Sequence, residues 1–318
     1  TIATRSSWIG MAGPAMIEGG GLGKFEPTAI GPIEVQEKNG VVDIVAEDEA
    51  HATAITRQLL SYFQGPVSNW EAGSQDPLRE LVPEERRWGY PVRRIIETLA
   101  DDGSFLELRR IFGRSIITGF IRIEGHPVAL IANDCQQMGG AVDAEASDKA
   151  ARFLRTCNAF GLPVLSLTDT PGFMVGPASE EQAAVRRMSD LFLAGAAMVV
   201  PVVAIFLRKG YGLGAMAMTG GSFLRPVYAA AWPTGEFGGM GLEGAVRLGF
   251  SKELEAVTDA AEREALFDRL VREAYEAGKA TEAAAHLEID AVIDPAQTRA
   301  VILRAFAAAG WPSARAKD

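Results

Sequence analysis

The stretch "RKGYGLGAMAM", residues 208–218, sets Gly210, Gly212 and Gly214 at alternate positions behind the apolar run "VVPVVAIFL" and ahead of small helix-forming side chains. Bare backbone at a strand-to-helix turn lets a ligand approach main-chain N–H groups that converge on one point, so an anion, or an oxygen that becomes one, fits there. A second turn of this kind holds Gly139 and Gly140 in "QQMGGAVDAEASDKAARF", and "DTPGF", residues 169–173, is a third. Three such turns suggest one shared pocket. The spacing Gly210, Gly212, Ala215 matches a dinucleotide fingerprint on paper. A Rossmann unit, however, wants glycine directly at the strand end and an acid closing a second strand. Arg208 and Lys209 intervene here, and Glu236 follows "WPTG". A tight structural turn is the preferred alternative to nucleotide binding. Asp169 is read as capping its turn or the following helix rather than as a catalytic acid, and Glu236 carries the same ambiguity. Met216 and Met218 are core residues by default. No paired carboxylates, Ser/His/Asp order or metal cluster stands out. The chemistry on offer is oxyanion stabilisation by backbone amides.

Such turns need a sheet to hold them. At 318 residues the chain exceeds one ordinary domain, and two lobes are expected. Apolar residues at 48% and charged residues at 23% exclude a disordered or fibrous chain. The net charge of −10 argues against nucleic acid or an anionic membrane surface as main partner. Gly195 and Pro201 split the longest apolar stretch, so it reads as a helix end, a turn and a buried strand rather than a membrane span. Two cysteines, Cys135 and Cys157, and three scattered histidines, His51, His126 and His286, are too few for a disulfide framework or a zinc site. A reducing cytoplasm is the default location. "TIATRSSWIGM" lacks the charged start and apolar middle of a signal peptide.

The chain repeats its ending. "IGMAGPAMIEGGG", from Ile9, parallels "FGGMGLEGAVRLG", from Phe237. "VVDIVAEDEAHATAITRQLLSYF", from Val41, parallels "EIDAVIDPAQTRAVILRAFAAAG", from Glu288, each a short apolar strand, an acidic helix start and a helix. Between the copies, "QGPVSNWEAGSQDPLRELVPEERRWGYP" lacks sustained periodicity and reads as a linker. Beyond it the expectation is a helix at 95–100, strands in "SFLELR" and "IITGFIRIEGHPVALIAND" with "EGHP" as a hairpin turn, and a helix over 148–160. There follow a strand "LPVLSLTD", a long helix over 180–199, a strand "PVVAIFL" and a helix from Gly214. A short strand in "LRPVYAAAWP" precedes a helical pair or one bent helix over 254–278. This alternation implies a parallel sheet buried on at least one side.

The motifs "SDKAARFLRTCNAFGLPVLSLTDTPGFMVG", "RKGYGLGAMAM", "AAWPTGEFGGMGLEGAV" and "DAVIDPAQTR", in this order, resemble the carboxyltransferase subunits of biotin-dependent acyl-CoA carboxylases. The resemblance covers nearly the whole chain. It implies an α/β, crotonase-like (ClpP/crotonase) ββα spiral in two lobes. Residues 1–66 would be the end of a truncated first lobe, 67–91 the linker and 92–318 the biotin-side second lobe. It further implies a cytoplasmic homo-oligomer, a dimer or a hexamer built as a trimer of dimers, working with a biotin carboxyl carrier and a biotin carboxylase. Biotin, borne by the partner, is the cofactor, acyl-CoA is the substrate, and no metal is required. The catalytic oxyanion hole falls on Leu213 and Gly214. Gly139, Gly140, Pro171, Gly172, Phe173, Tyr211, Gly212 and Met216 would contact substrate. Many family members have Gly-Gly-Ala-Tyr where this chain has Gly212, Leu213, Gly214 and Ala215, and Met216 aligns with the position that helps select acyl-chain size. The first-lobe Gly-Gly hole has no counterpart, so a fragment of a longer subunit, inactive by itself, is expected. Alternatives are a biotin-dependent decarboxylase or transcarboxylase subunit, or a non-catalytic crotonase-like assembly subunit.

Overall fold

Apolar runs bounded by Gly- and Pro-bearing turns become strands because alternate side chains can be buried on opposite faces of a sheet. The computed structural model describes residues 1–311. The strands are β1 (Ile2–Thr4), β2 (Ile44–Ala46), β3 (Leu106–Leu108), β4 (Ile116–Ile123), β5 (His126–Asn133), β6 (Val164–Thr170), β7 (Val202–Tyr211), β8 (Tyr228–Ala231), β9 (Glu236–Gly238) and β10 (Ala291–Val292). β1 and β2 pair in parallel as a small separate sheet. The main sheet runs β10-β8-β7-β6-β5-β4-β3, and β9 joins the end of β7. β3, β4 and β5 are antiparallel, and from β5 to β10 neighbours are parallel. The β4–β5 hairpin turns through Glu124 and Gly125, both at positive φ, in the expected "EGHP".

Helices cover both faces. On β5, Val128, Leu130 and Ala132 face a core shared with helices Val92–Leu99 and Thr298–Ala308, whereas Ala129 and Ile131 face the helix Ala144–Phe160. That helix begins before the expected Asp148 because Asp143 caps it, its carboxylate accepting from the Ala146 N–H. The expected long helix over 180–199 is divided into Pro177–Glu181 and Ala184–Ala196 by Ala183, whose φ of 57° breaks the helical path. The 254–278 region is a helical pair, Ser251–Ala256 and Ala260–Ala277, the second capped by Asp259. The stretch read as a linker packs on the body, with Leu78, Val82 and Tyr90 buried in the same core as Val92–Leu99. Among the described residues, no helix is long and apolar enough to cross a membrane.

The repeated ending is visible in element order. β2 leads into the helix Glu49–Ser61, capped by Asp48, and β10 leads past Asp294 into Thr298–Ala308. Each strand pairs in parallel with its neighbour, β2 with β1 and β10 with β8.

Candidate active site

In a parallel sheet the carboxyl ends of the strands share one edge, and the turns leaving them form a common crevice. Here β7 does not stop before Arg208 and Lys209. It runs through both to Tyr211, and the helix Gly212–Met218 starts at once. The glycines therefore lie closer to the strand end than the sequence implied. Gly212 has φ 57°, and a Cβ there would sit 2.7 Å from the Gly239 carbonyl oxygen. Leu213 and Gly214 occupy the first helical turn, where main-chain N–H groups have no helical acceptor behind them. The Leu213 side chain is 61% exposed, while Gly214 is buried.

The three Gly-rich turns make one patch. A Cβ on Gly214 would lie 2.5 Å from the carbonyl carbon of Gly172 and 2.8 Å from the Phe173 nitrogen. The Val142 N–H donates to the Gly172 carbonyl at 3.0 Å, and the Met174 N–H returns a bond to Val142 at 2.9 Å, which fastens the Gly139–Gly140 turn to the "DTPGF" turn. Gly140, at φ 87°, packs where any Cβ would collide with the Asp169 carbonyl oxygen. The Lys209 ammonium donates to the Gly139 carbonyl at 2.9 Å. Beside this patch, Pro171, Lys209, Tyr211, Glu236, Arg86 and Tyr275 line a cleft of about 470 Å³. Of the expected substrate-binding residues, only Pro171 and Tyr211 belong to that lining. Met218 is core as expected, and Met216 is half-buried.

The reading of Asp169 as a cap is corrected by its surroundings. Its carboxylate is fully buried, accepts from the Tyr90 hydroxyl at 2.8 Å and the Lys209 N–H at 3.1 Å, and pairs with Arg208 at 3.1 Å. The Lys209 ammonium is 3.5 Å away. Burial pushes the Tyr90 phenol well above its usual range, with the Asp169 charge adding to the rise. Glu236 accepts from the Tyr211 hydroxyl at 2.9 Å and pairs with Arg86 at 3.0 Å. Burial raises its carboxyl, and it raises the Tyr211 phenol together with the neighbouring Glu236 charge. Both acids are thus engaged in fixing the end of β7. Sequence reasoning missed Tyr90 and Arg86, and took Arg208 and Lys209 for an interruption. Two cations at the end of an apolar strand were the available signal, since a buried guanidinium needs a buried partner.

What remains unpaired by side-chain chemistry is backbone: N–H groups at a helix start, on glycine-bared turns, at the carboxyl edge of a parallel sheet. A family model, the carboxyl transferase domain, matches residues 1–316. The chain belongs to this family. As a carboxyl transferase domain it has the crotonase-like α/β fold of that group. It is 36% identical over 290 residues to the propionyl-CoA carboxylase beta chain of Saccharopolyspora erythraea, covering 85% of this chain and 53% of the relative. It is 33% identical over 318 residues to the methylmalonyl-CoA carboxyltransferase 12S subunit of Propionibacterium freudenreichii subsp. shermanii, covering 96% and 59%. Among solved structures, a single-chain, multi-domain long-chain acyl-CoA carboxylase is 58% identical with TM-score 0.89, covering 95% of this chain and 30% of that one. The transcarboxylase 12S structure, described as a hexamer with methylmalonyl-CoA bound, is 31% identical with TM-score 0.86, covering 96% and 60%. This carboxyl transferase domain therefore spans about half the length of the curated relatives it matches.

Proposed function

We propose that the chain is the biotin-side part of a carboxyltransferase that moves a carboxyl group from carboxybiotin to the α-carbon of an acyl-CoA. The observation that supports this most is the Leu213–Gly214 turn, two main-chain N–H groups at a helix start where Gly212 and Gly214 pack on neighbouring backbone too closely to admit a Cβ. Such donors stabilise an oxygen as negative charge builds on it, and they need no reorganisation during the reaction. Carboxybiotin, when bound, supplies the activated carboxyl group. The chain's own residues bind and orient: Leu213 and Gly214 face the biotin ureido oxygen, and Tyr211, Pro171 and Phe173 wall the approach. Gly139 and Gly140 contribute a second backbone surface. Asp169 and Glu236 are committed to ion pairs that hold the strand end, and neither is assigned as a base for the α-carbon.

In this reading residues 1–66 close a first lobe, 67–91 connect, and 92–318 form the second lobe, as the repeated element order supports. The acyl-CoA carbonyl needs donors of its own. We assign them to a first lobe beyond these 318 residues, so the chain alone is expected to be inactive. The partners are a biotin carboxyl carrier and a biotin carboxylase, in a cytoplasmic dimer or hexamer. The direct test supplies the full-length protein with both partners, ATP, bicarbonate and a panel of acyl-CoAs. Carboxylated product on at least one ester is expected, and none on any would overturn the assignment.

The likeness to a long-chain acyl-CoA carboxylase favours extended acyl chains as substrate. We assign to Met216, half-buried and one turn into the helix that carries the hole, the role of limiting that chain. Methionine fills irregular space, and its truncation opens room. Met216→Ala is expected to raise the rate on longer acyl-CoAs relative to short ones, read as a ratio of kcat/KM values. An unchanged ratio would show that Met216 is merely core.

A further inference from the structure

We propose that residues 86–90 form a positioning strap for the Leu213–Gly214 turn, an inference that rests on the function assigned above. Three alternate residues of this segment reach the last residues of β7. Arg86 pairs with Glu236, which accepts from the Tyr211 hydroxyl. The Trp88 carbonyl accepts from the Arg208 guanidinium at 2.8 Å. The Tyr90 hydroxyl donates to Asp169, which in turn accepts from the Lys209 N–H and pairs with Arg208. Residues 208, 209 and 211 are thereby held from the strap side, one step ahead of the proposed donors.

The segment has no helix or strand of its own, so side-chain and carbonyl contacts set its path. It is anchored behind by buried Leu78 and Val82, and in front by buried Tyr90, whose N–H lies 3.3 Å from the Cys135 sulfur. Tyr90 also stacks 4.9 Å from the Arg208 guanidinium, and Arg86 lies 3.9 Å over the Tyr275 ring. Arg86, Arg87 and Trp88 are exposed, Arg86 with half of its side chain. Removing the buried Tyr90 hydroxyl loosens the carboxylate it serves, and removing the half-exposed Arg86 takes the counter-charge from the buried Glu236; a small displacement of catalytic donors costs rate more than binding. Tyr90 and Arg86 are accordingly positioning residues, acting through Asp169 and Glu236.

The test uses the full-length protein with its biotin carrier. Tyr90→Phe keeps the ring and loses only the hydroxyl, and kcat is expected to fall roughly tenfold with acyl-CoA KM nearly constant. Arg86→Gln should act in the same direction, and Arg86→Lys, which retains a cation for Glu236, should recover most of the loss. Tryptic cleavage after Arg86 and Arg87 should quicken in Tyr90→Phe, reporting a released strap independently of turnover. An active wild type whose Tyr90→Phe and Arg86→Gln variants keep normal kcat overturns the strap alone, as does a loss of activity matched by the unfolded fraction. A wild type with no carboxyl transfer overturns the functional reading and the strap with it.

Discussion

Gly214→Ala in the full-length protein is expected to lower carboxyl-transfer turnover by about a hundredfold or more while leaving CoA-ester affinity nearly unchanged. The added methyl carbon would lie 2.5 Å from the Gly172 carbonyl carbon, 2.7 Å from its Cα and 2.8 Å from the Phe173 nitrogen. These are backbone atoms, and they cannot swing aside as the end of a flexible side chain would. Either the helix start or the "DTPGF" turn must move by a large fraction of an ångström. The Val142–Gly172 hydrogen bond ties that turn to its neighbour, so the helix start is the element expected to give. Its N–H groups then point away from the place where charge develops. Turnover on an extended acyl-CoA, with affinity measured separately by titration, checks the split. Wild-type turnover in the folded variant would remove Gly214 from the hole.

Asp169→Ala is expected to destabilise the fold by about 3–5 kcal/mol, because it strands a buried guanidinium without its counter-charge. Arg208 is only 2% exposed and Asp169 not at all. The same deletion leaves the Tyr90 hydroxyl and the Lys209 N–H without their acceptor. Asp169→Asn keeps an acceptor oxygen and should lose less. The thermal midpoint of each purified variant is the measurement. An undisturbed midpoint for Asp169→Ala would mean that Arg208 is satisfied without the carboxylate.

Much of this fold was readable from local pattern. The apolar runs of β4 and β5, buried on both faces, the "EGHP" hairpin and the strand-turn-helix succession all depend on neighbours in sequence. Helix boundaries failed where one residue decides them: Ala183 splits an apolar helical pattern only because it adopts positive φ, for which alanine carries no signature. The Gly-rich turns were found by type, and the structure packs them together through Gly214, Gly172 and Val142. The ion pairs behind them were not found. Asp169 meets Tyr90 across 79 positions and Arg86 meets Glu236 across 150, and such pairings have no local period. Polar composition made 67–91 read as a linker, and what it did not show is that Leu78, Val82 and Tyr90 anchor this largely exposed segment in the core.

Leu213 presents its side chain to solvent, while the atom assigned to chemistry is its peptide nitrogen. An alanine scan would pass over this position, since Leu213→Ala keeps the same N–H in the same helical turn. Natural variation there would likewise say little about activity. The informative replacement is atomic: an amide-to-ester exchange at residue 213, made by semisynthesis, deletes the donor and retains the leucine. A functional centre built this way is inherited through the glycines that shape the backbone around it, and a comparison of residue identities at the catalytic position itself would miss it.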